Sequence, residues 1–226
     1  MDRPEVLAAM VARHAVRHYL DTPIPPAVRA ELDAAIVRLN DTSGLAMRLL
    51  YDEPEGFSGA MAHYGNFRGV RNYLLLAGSE RPGLATACGH AGEQIVLLAQ
   101  HLGLNTCWVG LTYNKRKARA HLGPDEALVL AVAIGYGADG GKPHRRKPLD
   151  ELGHVEGGRD APAWFRAGLE AVALAPSGLN RQGTTFTLAG EVVRADPGRG
   201  TYAPIDRGIA MYHFEVGADG GPWRWD

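Results

Sequence analysis

The segment RHAVRHYLDTPIPP, residues 13–26, lies between two predicted helices and decides how the rest of the chain is interpreted. Residues 4–12 have apolar side chains at helical spacing, which predicts a short helix. Pro25 and Pro26 are typical of a helix start, and apolar residues at helical spacing follow them. We expect the segment between the two helices to form a turn. Its arginines and histidines suit a phosphate group, which accepts several charge-assisted hydrogen bonds.

Two later segments also contain polar and basic side chains that suit binding of a polar ligand. APSGLNRQ, residues 175–182, closes a helix that is predicted from about residue 162. HRRKPL, residues 144–149, is a basic loop after an apolar strand. Each segment alone has an ordinary interpretation, because arginines often lie on a solvated face and Ser-Gly often ends a helix. We therefore weigh the three segments together.

The remaining pattern is mixed helix and strand. Apolar runs predict strands at 45–51, 72–78, 106–110 and 128–137, and a hairpin at 184–196. Helices are predicted at 90–102 after a break at 80–89, at 115–122 and at 205–218, with a linker at 151–161. A long loop at 53–71 carries Phe57, Tyr64 and Phe67, which could roof a site. Helices first, then strands mixed with helices, predict an α+β sandwich.

Composition limits the class of protein. The chain has 226 residues, of which 46% are hydrophobic and 22% charged, with a formal net charge of −1. These values are typical of one large or two small globular domains, and they do not favour a nucleic-acid binder. The two cysteines, Cys88 and Cys107, form no disulfide framework, so we expect a cytoplasmic protein. We expect no signal peptide and no membrane span.

Three possible motifs are rejected. Gly135, Gly137 and Gly140 match the spacing of a dinucleotide fingerprint, but no helix is predicted to open at the third glycine. His14 and His18 lack a third ligand at recognisable spacing, so we expect no metal. Ser177 lacks the flanking glycines of a hydrolase nucleophile.

The three segments together resemble the FMN-dependent nitroreductase family. Residues 13–26 are similar to the family's arginine motif, with Ala15 where the family usually has Ser. Residues 175–182 resemble its Ala-Pro-Ser-x-x-Asn-x-Gln motif, but Gly183 and Thr184 replace the usual Pro-Trp. Residues 103–110 and 135–149 resemble its central helix-to-strand segment and its closing basic loop. The resemblance touches most of the chain, in scattered blocks.

The resemblance implies an FMN-binding oxidoreductase that passes electrons from NAD(P)H to a nitroaromatic, quinone or similar acceptor. It implies no catalytic acid or base, because the cofactor supplies the chemistry. A flavin-binding or flavin-storing protein without turnover and a plain structural domain are the alternatives. The sequence does not distinguish NADH from NADPH and does not name the acceptor. The implied FMN contacts are Arg13, Arg17, Arg145 and Lys147 at the phosphate and ribityl chain, the backbone of His14 and Ala15 along the flavin, the backbone of Val109 and Gly110 at its N5/O4 edge, and Ser177 and Asn180.

The Pro-Ser-x-x-Asn motif lies at the far end of the chain, whereas the family has it early, which suggests a repeat. Residues 32–50 align loosely with 168–188, and 91–103 align with 205–217 as apolar helices. Residues 1–150 would form a first repeat and 151–226 a degenerate second one, so that one chain imitates the family's homodimer. Two unrelated helix–strand pairs are the alternative. The repeat predicts a monomer with one FMN.

Overall fold

The computed structural model describes residues 1–59 and 63–226. Within these residues the chain forms α-helices, β-strands and short 3-10 turns. The helices are α1 Arg3–Ala12, α2 Pro26–Ser43, α3 Leu84–His101, α4 Lys115–Arg119, α5 Leu149–Leu152, α6 Ala163–Val172 and α7 Ala203–Gly217. The strands are β1 Arg48–Leu50, β2 Asn72–Ser79, β3 Asn105–Val109, β4 Glu126–Gly135, β5 Gly153–Val155, β6 Thr185–Ala189, β7 Val192–Asp196 and β8 Arg224–Trp225.

The chain divides into two compact units, each with its own sheet. The first unit comprises residues 12–84 and 95–143, and the second comprises residues 1–11, 85–94 and 144–226. Both units are discontinuous in sequence. The predicted division of two repeats at residue 150 stays a prediction.

The first unit is built on an antiparallel sheet in the order β1-β2-β4-β3. The apolar run of β2 is buried on both faces of the sheet until Ser79, as its continuous hydrophobicity predicts. β4 is buried over Leu130–Gly135, where it lies between β2 and β3. Below this sheet an aromatic cluster packs Phe57 against Phe67, Tyr73 and Tyr113.

The second unit is built on a mixed sheet in the order β5-β6-β7-β8. The predicted hairpin is confirmed as the antiparallel pair β6 and β7, whereas β5 and β8 are parallel to their neighbours. The core of this unit is aromatic. Phe186 and Phe214 stack with their ring centroids 4.8 Å apart, and Phe165, Trp223 and Trp225 surround them.

Close helix crossing in the second unit depends on two glycines. A Cβ atom on Gly89 of α3 would lie 2.2 Å from the carbonyl oxygen of Ile205, and a Cβ on Gly208 of α7 would lie 2.0 Å from the carbonyl oxygen of Thr86. The two contacts are reciprocal. The same helices are joined by two His–Glu pairs, His90 with Glu215 at 2.7 Å and the fully buried His213 with Glu93 at 3.0 Å.

Three sequence expectations need correction. The break predicted at 80–89 is wrong from residue 84 onward, since α3 begins at Leu84; its first turns are rich in small residues, which weakens the helical pattern. The predicted linker at 151–161 contains part of α5, strand β5 and a 3-10 turn. The predicted turn after α1 is extended backbone, because Val16 donates its N–H to Thr106 and Tyr19 to Arg68. Neighbouring strands hold this segment in a way that its own sequence does not reveal.

Candidate functional site

The arginine segment runs beside β3 in the first unit. Ala15 forms a parallel bridge with Thr106, and the N–H of Val16 donates to the carbonyl oxygen of Thr106 at 3.0 Å. The guanidinium of Arg13 is buried, with 4% of the residue exposed, whereas Arg17 is exposed. A buried guanidinium is costly unless charge or hydrogen bonds compensate it, so its position is a specific feature of this fold.

Both arginines act on one thiol of β3. Burial raises the pKa of Cys107, while the nearby guanidinium groups of Arg17 and Arg13 lower it, and burial is the larger effect. The thiol therefore stays protonated at neutral pH, and Cys107 is not a nucleophile. Both arginines are therefore near enough to this residue of β3 to influence its thiol.

Two further backbone features flank the segment. Strand β3 ends at the buried Val109, and the half-buried Gly110 follows it. On the other side Gly141 has a left-handed φ of +70°, and a Cβ there would lie 2.8 Å from the Cβ of His14. Only glycine fits this approach, which brings the loop after β4 against the predicted flavin-contacting backbone at 14–15.

The second unit brings together the other predicted site residues. The side-chain amide of Asn180 donates to the carbonyl oxygen of Arg145 at 2.9 Å, and the Ser177 hydroxyl accepts from the backbone N–H of Gln182 at 2.9 Å. The side chain of Lys147 lies 3.8 Å from the Glu151 carboxylate. The predicted basic loop and the predicted Pro-Ser-x-x-Asn loop are therefore in contact.

Gln182 is the residue that joins these two loops. Its side-chain amide donates to the carbonyl oxygen of Arg145 at 2.6 Å, and its side-chain oxygen accepts the N–H of Lys147 at 3.0 Å. It also donates to the side-chain oxygen of Asn180. Sequence reasoning quoted Gln182 only as the end of a motif. No sequence signal identifies it, because its partners are backbone groups 35 and 37 residues away.

Asp206 is a second residue that the sequence analysis missed. Both of its carboxylate oxygens accept from the backbone N–H of Gly178, at 2.9 and 3.1 Å. Burial raises its pKa to about 6, against the opposing effects of the Gly178 hydrogen bond and of Arg181. No local pattern marks it, because an acidic residue in the first turn of a helix is commonplace.

The predicted aromatic roof needs correction. Phe57 and Phe67 are buried in the core of the first unit, so they pack the fold, and the Arg17 guanidinium lies over the Phe67 ring, 5.9 Å from its centroid. Tyr64 is 86% exposed. Residues 60–62 of the same predicted loop lie outside the described residues. Across residues 1–59 and 63–226 no cluster of three or more potential ligands could hold a metal ion. No helix opens at Gly140, so the rejected dinucleotide fingerprint stays rejected.

Comparison with known proteins identifies the family that this fold and these motifs define. The family described as "Putative TM nitroreductase" matches residues 5–218. The chain belongs to this nitroreductase family, and its mixed helix-and-sheet fold is the nitroreductase fold. No curated protein matches the chain.

Solved structures agree on the fold. A protein described as a putative nitroreductase from Thermotoga maritima superimposes with a TM-score of 0.67 at 22% identity, over 93% of this chain and 82% of that one. Another putative nitroreductase, from Desulfovibrio desulfuricans and solved in complex with FMN, superimposes with a TM-score of 0.53 at 19% identity, over 65% of this chain and 94% of that one. Nitroreductase A from Vibrio parahaemolyticus superimposes with a TM-score of 0.56 at 14% identity, over 72% of this chain and 78% of that one. In the part of the chain that is described, no helix is long and apolar enough to cross a membrane.

Proposed function

We propose that this chain is an FMN-dependent oxidoreductase that takes electrons from NAD(P)H and passes them to a nitroaromatic, quinone or similar acceptor. Membership of the nitroreductase family supports the class of reaction. The structure from Desulfovibrio desulfuricans, solved with FMN, supports the cofactor. The observation that carries the proposal for this chain is the position of the arginine segment beside β3, where Ala15 bridges Thr106 and the Arg13 side chain is buried.

The donor set fits an anionic cofactor. Two permanently charged guanidinium groups on one extended segment suit a phosphate dianion, which arginine binds with several N–H donors. We assign the FMN phosphate and ribityl chain to Arg13 and Arg17, and the flavin edge to the backbone at Val109 and Gly110. The contributions of Arg145, Lys147, Ser177 and Asn180 to the same cofactor stay predictions, as does the contact of the His14 and Ala15 backbone.

The chain's own residues would bind and orient. Bound FMN supplies the acceptance and release of a hydride, which needs no side-chain acid or base. The buried Cys107 stays protonated and takes no part in the chemistry. The backbone of β3 is held rigidly by its pairing with β4 along its whole length, which suits a fixed contact to a planar ring.

The test is the affinity for FMN, measured by fluorescence titration. Arg13→Ala is expected to weaken binding by about 2–3 kcal/mol, or roughly 30- to 150-fold, as the loss of a charge-assisted contact does. The matched control is Arg38→Ala, which removes an exposed guanidinium from α2 and should leave the affinity unchanged. Equal affinities for the Arg13→Ala variant and the wild type, with both folded by circular dichroism, would overturn the assignment.

The order of events is testable by steady-state kinetics. One flavin face that serves donor and acceptor in turn implies ping-pong behaviour, with parallel double-reciprocal lines for NAD(P)H and menadione. Intersecting lines would mean that both substrates are bound together.

A flavin-binding protein without turnover is the second candidate. The departures at Ala15, Gly183 and Thr184 favour it, since each replaces a residue that the family usually has. Flavin-loaded protein that neither NADH nor NADPH bleaches at 450 nm or so would select this candidate. A colourless protein that ignores added FMN would contradict both candidates. A cytoplasmic location stays a prediction.

We also propose that the chain contains a degenerate repeat that imitates the family's homodimer. The reciprocal glycine contacts of α3 and α7 support it, because a two-fold axis relates such contacts in an isologous interface. If the two helices are equivalent, Thr86 corresponds to Ile205 and Gly89 to Gly208, with the same offset in residue number in both cases. This is a different register from the alignment of 91–103 with 205–217.

A further inference from the structure

The loop at residues 177–182, here called the clasp loop, has an unusual backbone. Leu179, Asn180 and Gln182 have positive φ angles of 56°, 53° and 45°. None of the three is glycine, and Leu179 is 83% exposed, so its side chain obtains little packing in return. Such a conformation persists only where the surroundings hold it, and it is commonly found at functional sites.

The surroundings hold the clasp loop at both ends. At its far end Gln182 is bonded to the backbone of Arg145 and Lys147. At its near end the only described acceptor of the Gly178 N–H is the carboxylate of Asp206, in the first turn of α7. Gly178 is confined further by Tyr202, whose ring would lie 3.0 Å from a Cβ at this position. The near end therefore depends on one side chain.

We infer that Asp206 is a positioning residue whose carboxyl group, by holding Gly178, sets how often the clasp loop occupies the conformation seen here. The inference rests on the proposed function in one respect, which is that the loop carries Ser177 and Asn180, two predicted flavin contacts. The hydrogen-bond geometry itself does not depend on flavin.

The titration of Asp206 gives the direction of the effect. Its pKa is raised to about 6 because burial outweighs the Gly178 hydrogen bond and Arg181. The Gly178 hydrogen bond is one of the effects that lower this pKa, so the bond is stronger to the ionised carboxylate than to the neutral acid. Ionisation above pH 6 or so therefore strengthens the hold on Gly178, and protonation weakens it.

Other charged and titratable groups lie on the clasp loop, on α7 and on the elements packed against it. Arg181 faces the carboxyl group from the loop itself, and Tyr202 precedes α7 with a pKa that burial raises. Arg207, next to Asp206 in α7, is half-buried. On the packed elements, His90 and Glu93 of α3 pair with Glu215 and His213, Arg194 of β7 pairs with Asp196, and Arg166 and Glu170 of α6 are exposed.

The test is hydrogen exchange of the Gly178 amide in the flavin-free protein, at pH 5.0 and pH 7.5 or thereabouts, corrected for the intrinsic pH dependence of exchange. Wild type should be roughly threefold to tenfold more protected at the higher pH, where Asp206 is ionised and its hydrogen bond from Gly178 is charge-assisted. Asp206→Asn accepts the same N–H without a charge, so it should match the low-pH wild type at both pH values. Asp206→Ala should be unprotected at both.

The control variant is Asp150→Asn, which neutralises an exposed aspartate of α5 and should retain the wild-type pH dependence. Equal protection of the wild type at both pH values, or the same pH dependence in Asp206→Asn, would overturn the inference. FMN titration separates this result from the proposed function. If protection of the Gly178 amide depends on pH in a protein that binds no FMN, the proposed function is overturned and the positioning role is kept. FMN binding together with a pH-independent Gly178 amide would keep the proposed function and overturn the positioning role.

Discussion

Glu126 shows how one residue fixes the edge of a sheet. Its carboxylate accepts two hydrogen bonds from the Arg48 guanidinium, at 2.6 and 2.7 Å, and one from the Gly123 N–H at 2.7 Å. The Arg48 hydrogen bond is the largest of the effects that lower its pKa. The pair ties the start of β4 to β1, two strands that β2 separates in the sheet.

Replacing this carboxylate should reduce stability in a pH-dependent way. A carboxyl group with a lowered pKa stabilises the fold above its unfolded pKa and loses that contribution as the pH falls. Glu126→Gln should lower the free energy of unfolding by about 1 kcal/mol at neutral pH, the scale of a partly exposed bidentate ion pair. Urea denaturation at pH 7 and near pH 3 measures this. The difference should shrink at the lower pH, and Glu31→Gln on the exposed face of α2 should show none.

Leu179 should be a site where stability can be gained. Its left-handed backbone strains a leucine, whereas asparagine tolerates this conformation. Leu179→Asn should raise the free energy of unfolding by about 0.5–1 kcal/mol, measured by urea denaturation. The matched control is Leu111→Asn, an exposed leucine without a positive φ, which should change stability by less than about 0.5 kcal/mol. A less stable Leu179→Asn protein would show that the leucine makes a packing contribution larger than its strain.

The residues that sequence reasoning missed share a physical cause. Asp206 and Gln182 act through backbone groups that are distant in sequence, and a backbone N–H or carbonyl leaves no trace in a list of side chains. The basic and Pro-Ser-x-x-Asn motifs were found because their side chains are chemically distinctive. The structure also shows these two loops in contact, which the motifs alone could not establish.

Among the elements, the crossing of α3 and α7 depends most directly on residue size. Gly208→Ala would place a methyl group 2.0 Å from the Thr86 carbonyl oxygen, so the helices would have to move apart. We expect a loss of roughly 2–4 kcal/mol of unfolding free energy, at or above the usual cost of overpacking. Thermal and urea unfolding measure it. Gly140→Ala is the control, because its Cβ meets no atom within 4 Å.

A second variant tests whether the crossing is reciprocal. Gly89→Ala meets the Ile205 carbonyl oxygen at 2.2 Å and should destabilise the protein by a similar amount. The double variant should then cost less than the sum of the two, since one separation of the helices relieves both contacts. Strict additivity would mean that the two contacts relax independently.

Elements with a strong internal pattern were predictable from sequence, and elements held by neighbours were not. The apolar run of β2 and the β6–β7 hairpin lie where the sequence places them. The three residues of β5 become a strand only because β6 supplies parallel hydrogen-bonding partners. Residues 13–20 likewise become extended only because Thr106, Arg68 and Tyr136 accept their N–H groups.

At the scale of the whole molecule, we expect a folded monomer that binds one FMN. The arginine motif occurs once in the sequence, and the Pro-Ser-x-x-Asn motif also occurs once. A chain that imitates a homodimer but retains one set of motifs should retain one site. Light scattering and flavin absorbance on the same sample measure mass and stoichiometry. An obligate dimer that loses flavin on dilution would show that the site is shared between chains.

The discontinuous second unit has a consequence for synthesis on the ribosome. Residues 85–94 belong to a unit whose other parts include 144–226, so His90 is made long before its partner Glu215, which lies 125 residues later. At about 5–20 residues per second, this helix segment waits roughly 6–25 s for its partners. During that interval Gly89 and the apolar residues around it face solvent or a chaperone. The rate of translation between residues 90 and 215 therefore sets how long this helix segment stays without its partner.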